Sequence, residues 1–179
     1  MNKFSLVKIS SYLALLAAGC VGPTIQPTTQ AAQVERLQCS GRAIAQSDDL
    51  VIQNTTVLEV RPIYGRVHTS SGDFESRVNG ATVWVQPPPG VPAEQMARIV
   101  QCHSARALLG EIDQAQLATD PFWLPNTWLD IDVKSHAGRF AISVGADNVE
   151  NGLKVLARAN AYADARSAGR SAPALIAAQ

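Results

Sequence analysis

The stretch 128–144 reads WLDIDVKSHAGRFAISV. Leu129, Ile131 and Val133 alternate with polar residues on its first arm, and Phe140, Ile142 and Val144 alternate on its second. Successive side chains of a strand point to opposite faces, so each arm has one apolar and one polar face. A four-residue loop, Ser135-His136-Ala137-Gly138, sets Val133 against Phe140, Ile131 against Ile142 and Leu129 against Val144. All six apolar side chains then share one face, and Gly138 supplies the left-handed conformation that closes such loops. Asp130 and Asp132 fall on the other face with Trp128, and Lys134 and Arg139 are nearby countercharges. An antiparallel hairpin of this kind needs a second layer over its apolar face.

The flanking sequence supplies that layer. Upstream, Pro92 suits the first turn of a helix, and Met96, Ile99, Val100, His103 and Ala107 recur at helical spacing, which predicts a helix over 92–109. Downstream, Asp147 with Glu150 three residues on is a variant of the capping box. It predicts a helix to about Ala163 with Val149, Leu153, Leu156 and Asn160 on one face. Further upstream, Thr55–Arg61 (TTVLEVR) and Ala81–Gln86 (ATVWVQ) read as strands, the second with Val83 and Val85 on one face and Trp84 on the other. Gly65–Thr69 is a candidate hairpin partner for the first, and Ser70 to Asp73 is turn chemistry. Pro87-Pro88-Pro89 ends the second strand, because proline has no N–H for the ladder. The expected fold is α+β: an antiparallel-rich sheet with two helices packed on one face, a two-layer sandwich for which a ferredoxin-like variant is one arrangement.

The chain has 179 residues, enough for one domain with appendages. Lys+Arg and Asp+Glu are 15 each, so the net charge is zero and a basic nucleic-acid-binding surface is not expected. The first twenty residues, MNKFSLVKISSYLALLAAGC, have Lys3 and Lys8 ahead of a short apolar run, Ile9 to Ala18. That run is too short to span a bilayer and fits the apolar region of a signal peptide. Leu15-Leu16-Ala17-Ala18-Gly19-Cys20 resembles the lipobox of bacterial lipoproteins, although Ala17 stands where that family usually has Leu. The resemblance covers residues 1–20 alone. It implies cleavage before Cys20, acylation of Cys20 with palmitate-type chains, and a membrane partner reached through the lipid. Val21, where an Asp would retain a Gram-negative lipoprotein at the inner membrane, implies the outer membrane facing the periplasm. Without Lys3 and Lys8 the mature chain has 13 basic and 15 acidic residues.

Four segments follow: a signal peptide over 1–19, the lipidated Cys20 and a flexible tether over 20–36, an α+β domain over 37–165, and a flexible tail over 166–179. The tether reading rests on Val21–Val34, rich in Thr, Gln and Pro and without charge. The tail reading rests on its Ala, Ser and Gly content.

Chemistry-bearing motifs are sparse. The chain has no GxGxxG, P-loop, HExxH, CxxC, GxSxG or SxxK. No cofactor and no metal site is expected, and the balance leans away from an enzyme. Phe122, Trp123 and Trp128 lie within seven residues among prolines and form the candidate binding surface. Cys102-His103 could be a nucleophile or a metal pair, but neighbours on a helix point about 100° apart. With Cys20 lipidated, Cys39 and Cys102 are the two remaining cysteines, and an oxidising compartment favours a disulfide between them. The expected function is a lipid-anchored envelope domain that binds or scaffolds, with another envelope protein as a candidate partner. The alternatives are an envelope metal- or redox-active protein using Cys102 and His103, and a small hydrolase without a recognisable motif.

Overall fold

The computed structural model describes residues 26–39, 42–68, 70 and 72–170. The signal peptide over 1–19, Cys20, the first part of the expected tether and the tail beyond Arg170 lie outside the described residues. Two helices lead, α1 (Pro27–Gln38) and α2 (Arg42–Asn54). Then come β1 (Val57–His68), β2 (Phe74–Val85), α3 (Ala93–Leu108), β3 (Asp130–His136), β4 (Arg139–Gly145) and α4 (Val149–Arg170). The four strands form one antiparallel sheet in the order β1-β2-β4-β3, and helices pack on it. The α+β class therefore holds. The order, two helices and then ββαββα, differs from the βαββαβ order of a ferredoxin-like sheet.

One face of the sheet is apolar because the alternation is in phase on three strands. Val83 and Val85 of β2, Ile131 and Val133 of β3, and Phe140, Ile142 and Val144 of β4 are all buried. They form one cluster with Met96, Ile99 and Val100 of α3 and Val155, Ala159 and Tyr162 of α4. Burying a side chain of this size stabilises by about 1.5–3 kcal/mol, so this interface is the main source of stability. Among the described residues no helix is long and apolar enough to cross a membrane.

The β3–β4 hairpin keeps the expected face but shifts register by two residues. Val133 pairs with Ile142 and Ile131 with Val144, and the ladder extends through Ser135–Phe140 to His136–Arg139. The loop is the pair Ala137-Gly138, with φ of 49° and 74°. Two positive φ values make a turn whose twist matches the strands, and tightening the loop brings Ser135 and His136 into the ladder. A shift of two leaves every side chain on its original face, so alternation alone could not distinguish the registers.

Upstream, Gly65–Thr69 is not a hairpin partner of Thr55–Arg61. β1 runs on to His68 as one twelve-residue strand, and its partner is β2. Pro62 is tolerated because β1 lies at the sheet edge. The α4 face also differs from expectation. Gly152, Val155, Ala159 and Tyr162 are buried, whereas Leu153 and Asn160 are exposed. The reason is close approach: a Cβ on Gly152 would fall 2.5 Å from backbone atoms of Asn79. Small residues let α4 lie against β2, and they carry little hydropathy signal. The helix is capped by Asn148 rather than Asp147, with the Asn151 N–H donating to Asn148 Oδ1 at 2.8 Å.

Two segments expected to be flexible are helical where described. Residues 27–36 of the supposed tether belong to α1, which starts on Pro27, and residues 166–170 of the supposed tail extend α4. Ala31 is fully buried in α1, yet Leu37 is 67% exposed, so α1 has almost no apolar stripe. Besides packing on α3, it is held covalently: Cys39, at its C-terminal end, is bonded to Cys102 of α3, with Cα atoms 5.6 Å apart. With α1 and α2 packed on its outer side, α3 is buried continuously from Cys102 to Ala107.

Candidate functional site

The most charged interior point lies on α3. His103 Nδ1 is 2.9 Å from Asp49 Oδ1 of α2, and His103 Nε2 is 2.5 Å from Asp120 Oδ2 in the loop before β3. Arg106, one turn along α3, donates to the same Asp49 oxygen at 2.9 Å. Asp120 is fixed in turn, because its Oδ1 accepts the Phe122 N–H at 2.7 Å. Burial works against a charged imidazole, but hydrogen bonds to Asp120 and Asp49 and their negative charge override it and hold the His103 pKa at about 9. Burial likewise opposes the Asp49 charge, and the His103 hydrogen bond together with the His103 and Arg106 charges keeps its pKa below the ordinary value. A cavity of about 380 Å³ borders this cluster, with Gln53, Leu117, Thr119 and Tyr162 in its lining.

The charged form restricts what His103 can do as a base or a ligand. A doubly hydrogen-bonded imidazolium has no lone pair with which to accept a proton or ligate a metal. The neighbouring Cys102 sulfur is in the disulfide. The Cys102–His103 pair therefore offers neither a thiolate nor a free ring nitrogen. What the cluster does is clamp α2 and the loop before β3 onto α3.

The three aromatics expected to form one surface are separated. Phe122 is 1% exposed and lies edge-on to Tyr162, with ring centroids 5.8 Å apart, so it belongs to the core. Trp123 is half-buried beneath the Arg158 guanidinium, which lies 5.1 Å from its ring centroid and donates to the Trp123 carbonyl. Trp128 borders a separate recess between α1, α3 and β3, beside Val34 and Gln101. The buried side chains of Phe122 and Leu124 hold this loop against the core. Asp132 pairs with Lys134 at 2.9 Å on the exposed sheet face, as a solvated polar face requires. The histidines are dispersed: His68 stacks on Phe74 near the β1–β2 turn, His136 ends β3, and His103 is interior.

A better surface lies on the polar face of the sheet, which no described helix covers. Trp84 projects there from β2, between β1 and the β3–β4 turn. The Arg61 guanidinium lies 5.8 Å from its ring centroid, and His136 stands edge-on at 5.9 Å. Glu59 orients Arg61 through two hydrogen bonds of 2.6 and 2.9 Å. Arg139 completes the rim of a cleft of about 330 Å³. Trp84 Nε1 is buried and has no hydrogen-bond partner among the described residues. An indole with an unmatched donor, rimmed by two guanidinium groups and one carboxylate, favours an anionic group with a flat or apolar neighbour. The signal for this site was present in the sequence as the one large aromatic on the polar face of its strand. Arg61, His136 and Arg139 converge on it only through the sheet order.

Comparisons with family models, curated proteins and solved structures return no match.

Proposed function

We propose that this chain is an exported, lipid-anchored protein of the cell envelope whose α+β domain binds a partner and catalyses nothing. The outer sheet face is its recognition surface, and an acidic group on a ligand or on another envelope protein is what it takes. The observation that carries the binding reading is the unmatched Trp84 Nε1 beside Arg61 and Arg139. Buried donors are ordinarily satisfied, and because this one is shielded from solvent, an acceptor in the cleft would reach it through a small outward tilt of the indole. The Cys39–Cys102 bridge supports the export reading, because such bridges persist in oxidising compartments. The lipobox resemblance of Leu15 to Cys20 supports the anchor and the outer-membrane location.

Two experiments test the two halves separately. Cys20→Ser should release the protein from the membrane fraction, and the intact mass of the wild type should include acyl chains. Retention of the variant in the membrane would reject the anchor. For recognition, hexaglutamate should change the tryptophan emission of the full chain and hexalysine should not. Trp84→Phe and Arg139→Ala should each remove that response. No response in the wild type rejects an acidic ligand.

A further inference from the structure

β1 and β2 are twelve residues long, whereas β3 and β4 have seven. β4 pairs with β2 only from Gly80 to Val85. Residues 74–78 of β2, paired with Tyr64–His68 of β1, therefore extend past the sheet as a two-stranded arm. Phe74 is 63% exposed and Tyr64 62%, with Val67 also exposed. A two-stranded ribbon with bare apolar side chains is marginal in water, and an open strand edge is a template for another strand. The β1 edge is interrupted by Pro62, whereas the register shift at Ile63 and Tyr64 skips Asn79, so the extra residue of that bulge belongs to β2. Over residues 74–78 the β2 edge carries no proline and no register shift, and Asn79 lies just beyond it.

The sequence of that edge is Phe74-Glu75-Ser76-Arg77-Val78. Its charges are antisymmetric about Ser76. We propose that two copies of this chain associate by antiparallel pairing of β2 with β2 about a two-fold axis at Ser76, forming the strand order β1-β2-β2-β1 across the two arms. In that register Glu75 lies opposite Arg77 of the second copy, and Arg77 opposite its Glu75. Phe74 lies opposite Val78. Alternation puts Phe74, Ser76 and Val78 on one face, and their β1 partners His68, Arg66 and Tyr64 accompany them. Phe74, Val78 and Tyr64 of each copy thus form one apolar strip, and His68 already stacks on Phe74 at 4.1 Å.

Charge selects this register over its neighbours. A slip of one residue sets Glu75 against Ser76 or Val78, and a parallel in-register pairing sets Glu75 against Glu75. Glu75 and Arg77 are ion-paired within their own strand at 2.7 Å, so association exchanges one partner for an equivalent one. The contact is isologous, so it closes at two copies and does not propagate.

Sedimentation of the full chain in neutral detergent tests this. The wild type should be dimeric. Glu75→Arg alone and Arg77→Glu alone should each raise the dissociation constant roughly tenfold or more, because both cross-pairs become like-charged. An equimolar mixture of the two single variants should dimerise again, since each then supplies what the other lacks. The double variant Glu75→Arg/Arg77→Glu should dimerise alone. A variant that melts below the wild type is replaced by Ser76→Lys, which sets two ammonium groups against each other on the axis. A monomeric wild type overturns the proposal. Dimers that persist in the single variants, or that the mixture fails to restore, overturn it as well.

Discussion

The layer formed by the sheet, α3 and α4 and the layer formed by α1 and α2 are held by different physics. The first is a continuous apolar interface of many small contributions. The second contributes few fully buried apolar side chains, Ala31 of α1 and Ile52 of α2 among those described. It is attached at points instead. Cys39 is bonded to Cys102, Asp49 bridges His103 and Arg106, the Tyr162 hydroxyl donates to the Ile52 carbonyl at 3.0 Å, and Arg166 donates to the Gln53 carbonyl. A distributed interface fails only when the whole core fails. A point-attached layer can be released one link at a time, and its links answer to redox state and pH.

The largest effect should come from the distributed interface. Ile142 is fully buried at the middle of β4. Ile142→Asp places an unpaired carboxylate in that core, at several kcal/mol, comparable with the whole stability of a domain. No cooperative thermal transition is expected. Asp132→Ala, on the exposed side of neighbouring β3, should change stability by less than about 0.5 kcal/mol. Similar melting losses from the two would contradict the division of the sheet into a core face and a solvated face.

Reduction of the Cys39–Cys102 bridge comes next. The cysteines are 63 residues apart, and a closed loop of that size stabilises by up to about 4 kcal/mol in the chain-entropy model. Hydrogen exchange of the reduced protein should show α1 losing protection first, with β2, β4 and α4 still protected. Uniform loss across all elements would mean that the two layers are one cooperative unit, and the comparison would fail.

The His103 clamp gives a pH dependence. Its folded pKa of about 9 lies above the unfolded value near 6.5. The contribution is therefore complete below about pH 6.5 and lost as pH rises through 9, with a ceiling on the order of 3 kcal/mol. The Asp49 pKa is lowered, so its part is present above the ordinary carboxylate range and lost in acid. Denaturant midpoints should fall between pH 7 and pH 10, and His103→Gln should flatten that fall. A midpoint that declines equally in the variant would place the titrating group elsewhere.

These two layers also differ in how far they could be read from the sequence. The β3–β4 face, the extent of α3 and the pairing of Cys39 with Cys102 were legible, because alternation, helical spacing and the small number of cysteines each leave few alternatives. The β3–β4 register was not, since a shift of two preserves the faces. α1 was hidden because a helix with one fully buried alanine has no stripe to detect, and its composition suits a tether equally well. The candidate cleft was illegible for a different reason. Trp84 was visibly on the polar face, but Arg61 and Arg139 reach it only because β2 is sandwiched between β1 and β4, and nothing local in the sequence states that order. Phe122 misled because an aromatic between prolines reads the same whether it faces water or locks a loop.

The smallest expected effect concerns a polar link inside the distributed layer. Asn148 caps α4 through its side-chain oxygen and the Asn151 N–H, and its carbonyl accepts the Gly152 N–H at 2.9 Å. Asp147 lies one residue before the cap, and its Oδ1 accepts from the Asn148 and Asn151 amides at 2.9 and 3.3 Å. Asn148→Ala removes the cap and should cost about 1 kcal/mol, while Asp147→Ala removes only exposed contacts and should cost a few tenths. Both variants should keep α4 on the sheet, because Val155, Ala159 and Tyr162 remain buried. Urea midpoints would measure the difference. If Asp147→Ala were the costlier change, the capping role would return to Asp147 and the start of α4 would have to move back by one residue. If Asn148→Ala also stripped hydrogen-exchange protection from α4 while leaving β2 and β4 protected, α4 would belong with the point-attached layer, because a helix held by burial does not come away when one end link is cut.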